Sequence, residues 1–243
     1  MADDRTARSA RAAQAHRERE RAVRRRHTRV TVATVASVVT LVGIAWWGFG
    51  ALAGSEEPVD VVAPGHLVEG GFRHPGGAGP DAPVVEVYAD SLCPHCGDFE
   101  EDGGRFLAEQ AEAGAVDLRF RPMAVLDGAA DEGSAHDVMN AAVCAADLGG
   151  AEAFWTAHAA LFAARYHRAE QAPSVADLTD LLGDLGPAGL AECIEEGRFI
   201  PWIDVARRSG RERGVAGTPT VVIDGRVADD LSRTGLATAL ADR

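Results

Sequence analysis

An α/β domain interrupted by an all-helical insertion, and preceded by one transmembrane helix, is the architecture this sequence predicts. Strand signals occur within residues 84–122 and again within 199–243, and the block between them, 123–198, shows only helical signals. The third observation is a run of 24 residues, Val30 to Ala53, without a single charge.

Taken in chain order, residues 1–29 form a basic tail. Residues 1–30 carry ten arginines against Asp3, Asp4, Glu18 and Glu20, a balance of +6, whereas the remainder of the chain stands at 14 − 33 = −19. A body so acidic is unsuited to neutralising phosphates, so nucleic acid is excluded as a partner. As a helix the uncharged run spans roughly 36 Å, enough for a hydrocarbon core of about 30 Å. Seven arginines lie between Arg17 and Arg29, and the next basic residue is Arg73, so the positive-inside bias places the tail in the cytoplasm and everything after Ala53 outside it. A cleaved signal peptide is the alternative, with Ala51-Leu52-Ala53 as its cleavage site; its apolar region is usually only about 7–15 residues, which favours the anchor.

Residues 54–83 hold seven glycines and five prolines and read as a tether, with Val59–Val62 and His66–Val68 as candidates for a short edge hairpin. Val84–Tyr88 is a strand by β-branched content, and it runs into Cys93-Pro94-His95-Cys96 and a helical stripe through Phe99, Phe106 and Leu107, interrupted at Gly103-Gly104. Val116–Arg121 alternates as a second strand. Helices are expected at Ser134–Leu148, Glu152–Tyr166, Val175–Leu182, Pro187–Glu196 and Pro201–Arg213; Thr220–Ile223 is a strand, Asp224-Gly225 a hairpin turn, and Leu231–Leu240 a closing helix.

The CxxC pair carries the chemistry. Attachment of a c-type haem needs histidine directly after the second cysteine, where Gly97 stands, and a structural zinc site needs four ligands that the chain does not supply, so neither cofactor nor metal is expected. Redox chemistry has a positive argument. At a strand-to-helix junction Cys93 falls at the helix start, where unpaired N–H groups and the macrodipole stabilise an anion. Pro94 suits the first helical position, which needs no donor. His95 offers a positive charge or a hydrogen bond, and the spacing returns Cys96 to the side of Cys93. A thiolate favoured by about three pKa units gains roughly 4 kcal/mol, equivalent to about 90 mV, and makes the disulfide the oxidant. Asp98, Glu100, Glu101 and Asp102 oppose this as local negative charge, or form a solvated first turn that complements the helix dipole, a reading that discounts their opposition. Glu86 and Asp90, just before the pair, are candidates to take a proton from Cys96, or are respectively a solvent-facing strand position and a loop cap. Cys144 and Cys193 fall on helices 49 positions apart and read as a structural disulfide.

The stretches 85–96 (Val-Glu-Val-Tyr-Ala-Asp-Ser-Leu-Cys-Pro-His-Cys), 120–123 (Phe-Arg-Pro-Met), 154–162 (Phe-Trp-Thr-Ala-His-Ala-Ala-Leu-Phe) and 214–220 (Gly-Val-Ala-Gly-Thr-Pro-Thr) resemble the disulfide-bond protein A (DsbA) family, in particular its membrane-anchored Gram-positive branch. The resemblance covers roughly residues 84–243. It implies a thioredoxin-like fold, with Cys93 as the sulfur that engages the substrate and Cys96 as the one that resolves the mixed disulfide. Pro219 is then a cis-proline beside the pair, a point that the rarity of cis X-Pro bonds, about 5–6%, would not supply. Thr218 before it would pair with extended substrate backbone. The helical block around 123–198 would line a substrate groove, and Phe154, Trp155, His158, Leu161 and Phe162, at helical spacing, read as packing.

The expected function is disulfide donation from Cys93–Cys96 to reduced or unfolded secreted proteins, at the outer face of the cell membrane, with a membrane oxidoreductase, quinone-linked by resemblance, restoring the disulfide. An isomerase or reductase of the same fold is the enzymatic alternative. A membrane-tethered binding module whose CxxC only staples a loop is the non-enzymatic one.

Overall fold

The computed structural model describes residues 61–126, 134–169 and 171–243. The basic tail and the expected transmembrane helix, 30–53, lie outside the described residues, as does Val59 of the first hairpin candidate. Among the described residues no helix is long and apolar enough to cross a membrane.

A six-stranded mixed sheet organises the domain. In chain order its strands are β1 (Leu67–Val68), β2 (Gly71–Arg73), β3 (Val84–Ala89), β4 (Asp117–Pro122), β5 (Thr220–Ile223) and β6 (Arg226–Val227), and in space they run β1-β2-β4-β3-β5-β6. Only β3 and β4 are parallel, in register from Val84 opposite Asp117 to Ala89 opposite Pro122. They are joined by a helical crossover made of α1 (Pro94–Phe99), a π-helical segment (Glu100–Gly104) and α2 (Arg105–Glu112). The expected interruption at Gly103-Gly104 is thus a π-helical segment and not a break. Close packing demands Gly103, where a Cβ would stand 2.1 Å from the Leu231 carbonyl oxygen; at Gly104 the nearest atom, 2.6 Å away, is the movable end of the Glu100 side chain.

Within the tether assigned to 54–83, the strand candidate at His66–Val68 is present as β1, and its partner β2 extends the sheet beyond that candidate. Leu67–Arg73 is a hairpin turned by Glu69 and Gly70, both at positive φ (50° and 83°), as a two-residue turn matching strand twist requires. Phe72 pairs with Phe120 of β4 and is fully buried, so this stretch is sheet. One buried aromatic outweighs the local density of glycine.

Between β4 and β5 the chain is helical: α3 (Ser134–Ala163), a 3₁₀ turn (Tyr166–Arg168), α4 (Val175–Gly183), α5 (Leu190–Glu195) and α6 (Ile200–Glu212). Gly150, at φ 77°, divides α3 near the expected boundary. Ser174 and Asp177 form a reciprocal capping box at the start of α4. The closing helix is α7 (Arg233–Ala241). Phe154 of α3 joins these helices to the sheet, stacked on Phe72 at 4.3 Å and tilted against Phe120 at 5.5 Å. Asn140, wholly buried, donates to the Ile194 carbonyl at 3.3 Å and accepts from the Phe199 N–H at 2.9 Å, tying α3 to the chain on both sides of α5's end.

Cys144 of α3 is bonded to Cys193 of α5, with Cα atoms 5.9 Å apart. Closing a segment of 49 residue steps restrains the unfolded chain by about 4 kcal/mol on the chain-entropy account. The double substitution Cys144→Ala/Cys193→Ala is expected to lower stability by about 2–5 kcal/mol, measured as a reduced urea midpoint with the 93/96 pair held reduced throughout.

Candidate active site

The site is assembled where β3 ends. Cys93 is the N-cap residue of α1, in extended conformation, with Pro94 following it at the first helical position. Its backbone N–H donates to the Asp90 carbonyl at 3.0 Å, and its own carbonyl accepts the Gly97 N–H at 3.0 Å. Cys93 and Cys96 are free thiols, 5% and 0% exposed. The Thr218–Pro219 peptide bond is cis, and the Thr218 carbonyl lies 3.5 Å from Cys93 Sγ.

The two sulfurs are electrostatically unequal. Cys93 is brought down from 9.0 to about 5, foremost by a hydrogen bond from the Cys96 thiol, opposed by burial, and further by the Thr218 side chain and the backbone N–H groups of Cys96 and His95. The Cys96 thiol is pushed strongly upward, because it donates to Cys93 and is buried. The pair therefore carries one negative charge, on Cys93. The His95 contribution comes from its backbone; the residue itself is exposed, like Pro94.

Asp90 is 1% exposed, and its carboxylate accepts N–H bonds from Leu92, Val125 and Leu126 at 2.9, 2.8 and 3.2 Å. It is raised to about 6, because burial outweighs those three amides and the Cys93 charge adds to it. Asp90 thus fastens the loop before the cysteines to the chain leaving β4. Glu86 is not brought to the pair. Strand alternation turns it to the sheet face of Tyr88, where it is bound by Arg121, with Arg213 at 4.0 Å.

The acidic turn after the pair is compensated in part, at Asp98 and Glu101 by arginines of the helical block and at Asp102 by a backbone N–H of the closing helix. Arg168 holds Asp98 at 2.8 Å and Glu101 at 3.4 Å, Arg165 holds Glu101 at 3.2 Å, and Asp102 accepts the Arg233 N–H at 3.0 Å. Sequence reasoning missed His167, which rests on Gly97: a Cβ there would lie 2.2 Å from the ring. No local pattern marks this contact, because the two residues are 70 positions apart. His158 belongs to the helical stripe that the sequence assigns to packing. It is buried, yet its Nε2, 3.4 Å from Glu100, lacks a hydrogen-bond partner. Among the described residues no cluster of His, Cys, Asp and Glu is placed to hold a metal ion.

A buried dithiol at a helix start on the edge of a mixed sheet, with one sulfur poised as thiolate beside a cis-proline, defines a thiol:disulfide oxidoreductase. The family model described as thioredoxin matches residues 77–242, and the chain belongs to that family, in which it is of the DsbA type. Reduced DsbA from Mycobacterium tuberculosis is similar at 26% identity and TM-score 0.60, over 71% of this chain and 91% of that one. The disulfide bond oxidoreductase DsbG of the same organism is similar at 27% identity and TM-score 0.58, over 79% and 90%. The thiol-disulfide oxidoreductase MdbA from Corynebacterium diphtheriae shares the fold at 21% identity and TM-score 0.62, over 76% of this chain and all of that one. No curated protein sequence matches the chain.

Two measurements check the electrostatics. Thiolate absorbance of the reduced protein should titrate near pH 5, and the reduction potential should fall by about 59 mV per pH unit below that point and by only about 30 mV above it, because reduction then takes up one proton. Stability follows the same linkage. With its folded value below its unfolded one, Cys93 contributes stability that is complete above about pH 9 and lost as pH falls through about 5, so the reduced form should gain on the oxidised form across that window. Asp90 has the opposite sign, its contribution being complete below about pH 3.8 and lost as pH rises through about 6; Asp90→Asn should flatten the acid limb of that curve.

Proposed function

We propose that this protein donates the Cys93–Cys96 disulfide to reduced proteins outside the cytoplasm, from a membrane anchor formed by residues 30–53. The observation that carries the reading is the charge asymmetry of the pair. A sulfur stable as thiolate near pH 5 is a good leaving group and a poor holder of a disulfide. The Cys144–Cys193 bridge supports an oxidising compartment, where such bonds persist.

In the forward reaction a client thiolate attacks Cys93 Sγ. The Cys93–Cys96 bond breaks, and Cys96 leaves with the electron pair and takes a proton. The client's second thiolate then attacks the client sulfur of the mixed disulfide and expels Cys93 as thiolate. The client is oxidised by two electrons, and the enzyme is left as the dithiol, the form in which the two cysteines stand in this structure. Asp90, a buried acid titrating near 6 and bonded through its carbonyl to the Cys93 N–H, serves as proton source in this scheme. Once Cys93 is a thiolate it has no proton to give the Thr218 carbonyl, which is then open to an extended client's N–H. A quinone-linked membrane oxidoreductase is the proposed reoxidant.

Cys96→Ala should accumulate mixed disulfides with exported cysteine-containing proteins on non-reducing gels, and Cys93→Ala should trap almost none. Reversal of that pattern would transfer the nucleophile to Cys96. A pair that neither traps clients nor oxidises a reduced peptide would make the chain a binding module. Protease added to intact spheroplasts should digest the domain after residue 53 and spare the arginine-rich tail; release of a mature form beginning near Gly54 would refute the anchor.

A further inference from the structure

A groove of about 520 Å³ adjoins the active-site helix, between α1–α2 and α3. One wall is a row of rings. Trp155, His158 and Phe162 follow each other on α3 with centroids 5.1 and 4.9 Å apart, and His74 and His167 extend the row at 4.8 and 6.0 Å. Burial lowers the pKa of both His74 and His167, so these rings present neutral faces near pH 7.

The opposite wall alternates small residues with carboxylates: Gly97, Glu100, Gly104, Ala108 and Glu112. Arg165 and Arg105 also border the groove; Arg165 is engaged by Glu101 at 3.2 Å, and Arg105 stands at the groove edge near Glu109, whose carboxylate is held by Arg233 at 2.9 Å. Glu100 and Glu112 have no arginine partner among the described residues. Glu100 is folded onto Gly104, with its side chain 20% exposed, and its neighbour across the groove is the His158 Nε2 that lacks a hydrogen bond. Carboxylates without an arginine partner, set across from a row of rings packed edge to face, suit an organic cation, which gains from both.

The groove also begins where a client is held. Gly97 is four residues after Cys93, hence on the same helix face and about 6 Å along it. An extended chain advances about 3.4 Å per residue, so a side chain two to five residues from the client cysteine reaches the groove. We propose that this groove receives a lysine or arginine side chain of the client polypeptide, bound by Glu100 and Glu112 against the ring wall, so that the enzyme favours cysteines with a nearby basic residue. The inference rests on the disulfide-donor reading.

Dithiol peptides identical except for one residue, lysine, glutamine or glutamate, placed at each of the positions two to five residues from the first cysteine, test this with the full chain. At one or more positions the lysine peptide should exceed the glutamine peptide in kcat/KM by about fivefold at low salt, with the glutamate peptide slowest. Glu100→Gln and Glu112→Gln should each reduce the lysine-to-glutamine ratio, and Glu112→Arg, at an exposed position that tolerates it, should invert the order of the lysine and glutamate peptides. Equal rates on all three peptides would overturn the groove assignment while leaving disulfide donation intact. A lysine preference that survives every substitution would assign it to the net charge of the body and also overturn it. Failure to oxidise any peptide would instead overturn the donor reading.

Discussion

A negative charge on Cys93 has to be held in a buried place by neutral groups. The groups that lower its pKa are the Cys96 thiol, the Thr218 side chain and the N–H groups of Cys96 and His95, with no arginine among the leading causes. Neutral donors work here because the site is nearly dry, and a dipole fixed at short range is not screened by salt as a distant charge would be. The requirement is geometric: the helix must begin at Cys93, Cys96 must return beneath it, and the turn at Pro219 must come alongside.

Much of the surrounding structure serves those three conditions. Asp90, through three amide bonds, fixes the approach to the helix against the segment that leaves β4. The parallel β3–β4 pair and its helical crossover set the direction of α1, and β5, antiparallel to β3, delivers Thr218 and Pro219 from the far end of the chain. Gly103 lets the crossover helix pass close to Leu231.

The helical block acts electrostatically as well as by packing. Arg165 and Arg168 arrive from its 3₁₀ turn to neutralise Asp98 and Glu101, whose charges would otherwise disfavour the thiolate. These bridges are half-exposed and individually weak. Their effect is to offset two of the four carboxylate charges of the acidic turn, those of Asp98 and Glu101. The same turn lays His167 on Gly97, where both line the end of the ring-walled groove nearest the cysteines.

The sequence by itself determined the α/β class with its inserted helical block, the order of the main strands and helices from Val84 onward, and the redox chemistry of the CxxC pair, because each depends on local signals: period-2 and helical patterns, a proline at a helix start, and a three-residue spacing that one turn closes. It placed Asp90 beside the pair and left its role between cap and proton carrier. Tertiary structure alone decided the rest. The hairpin at Leu67–Arg73 exists because Phe72 finds Phe120 and Phe154, residues far along the chain. Glu86 is claimed by Arg121 from the neighbouring strand, a pairing set by register and not by composition. Asp98 and Glu101 of the acidic turn meet arginines some 70 positions later, and His167 meets Gly97 over the same interval. Charge compensation and close contact act through space, and a linear pattern holds no record of which distant residues the fold will bring together.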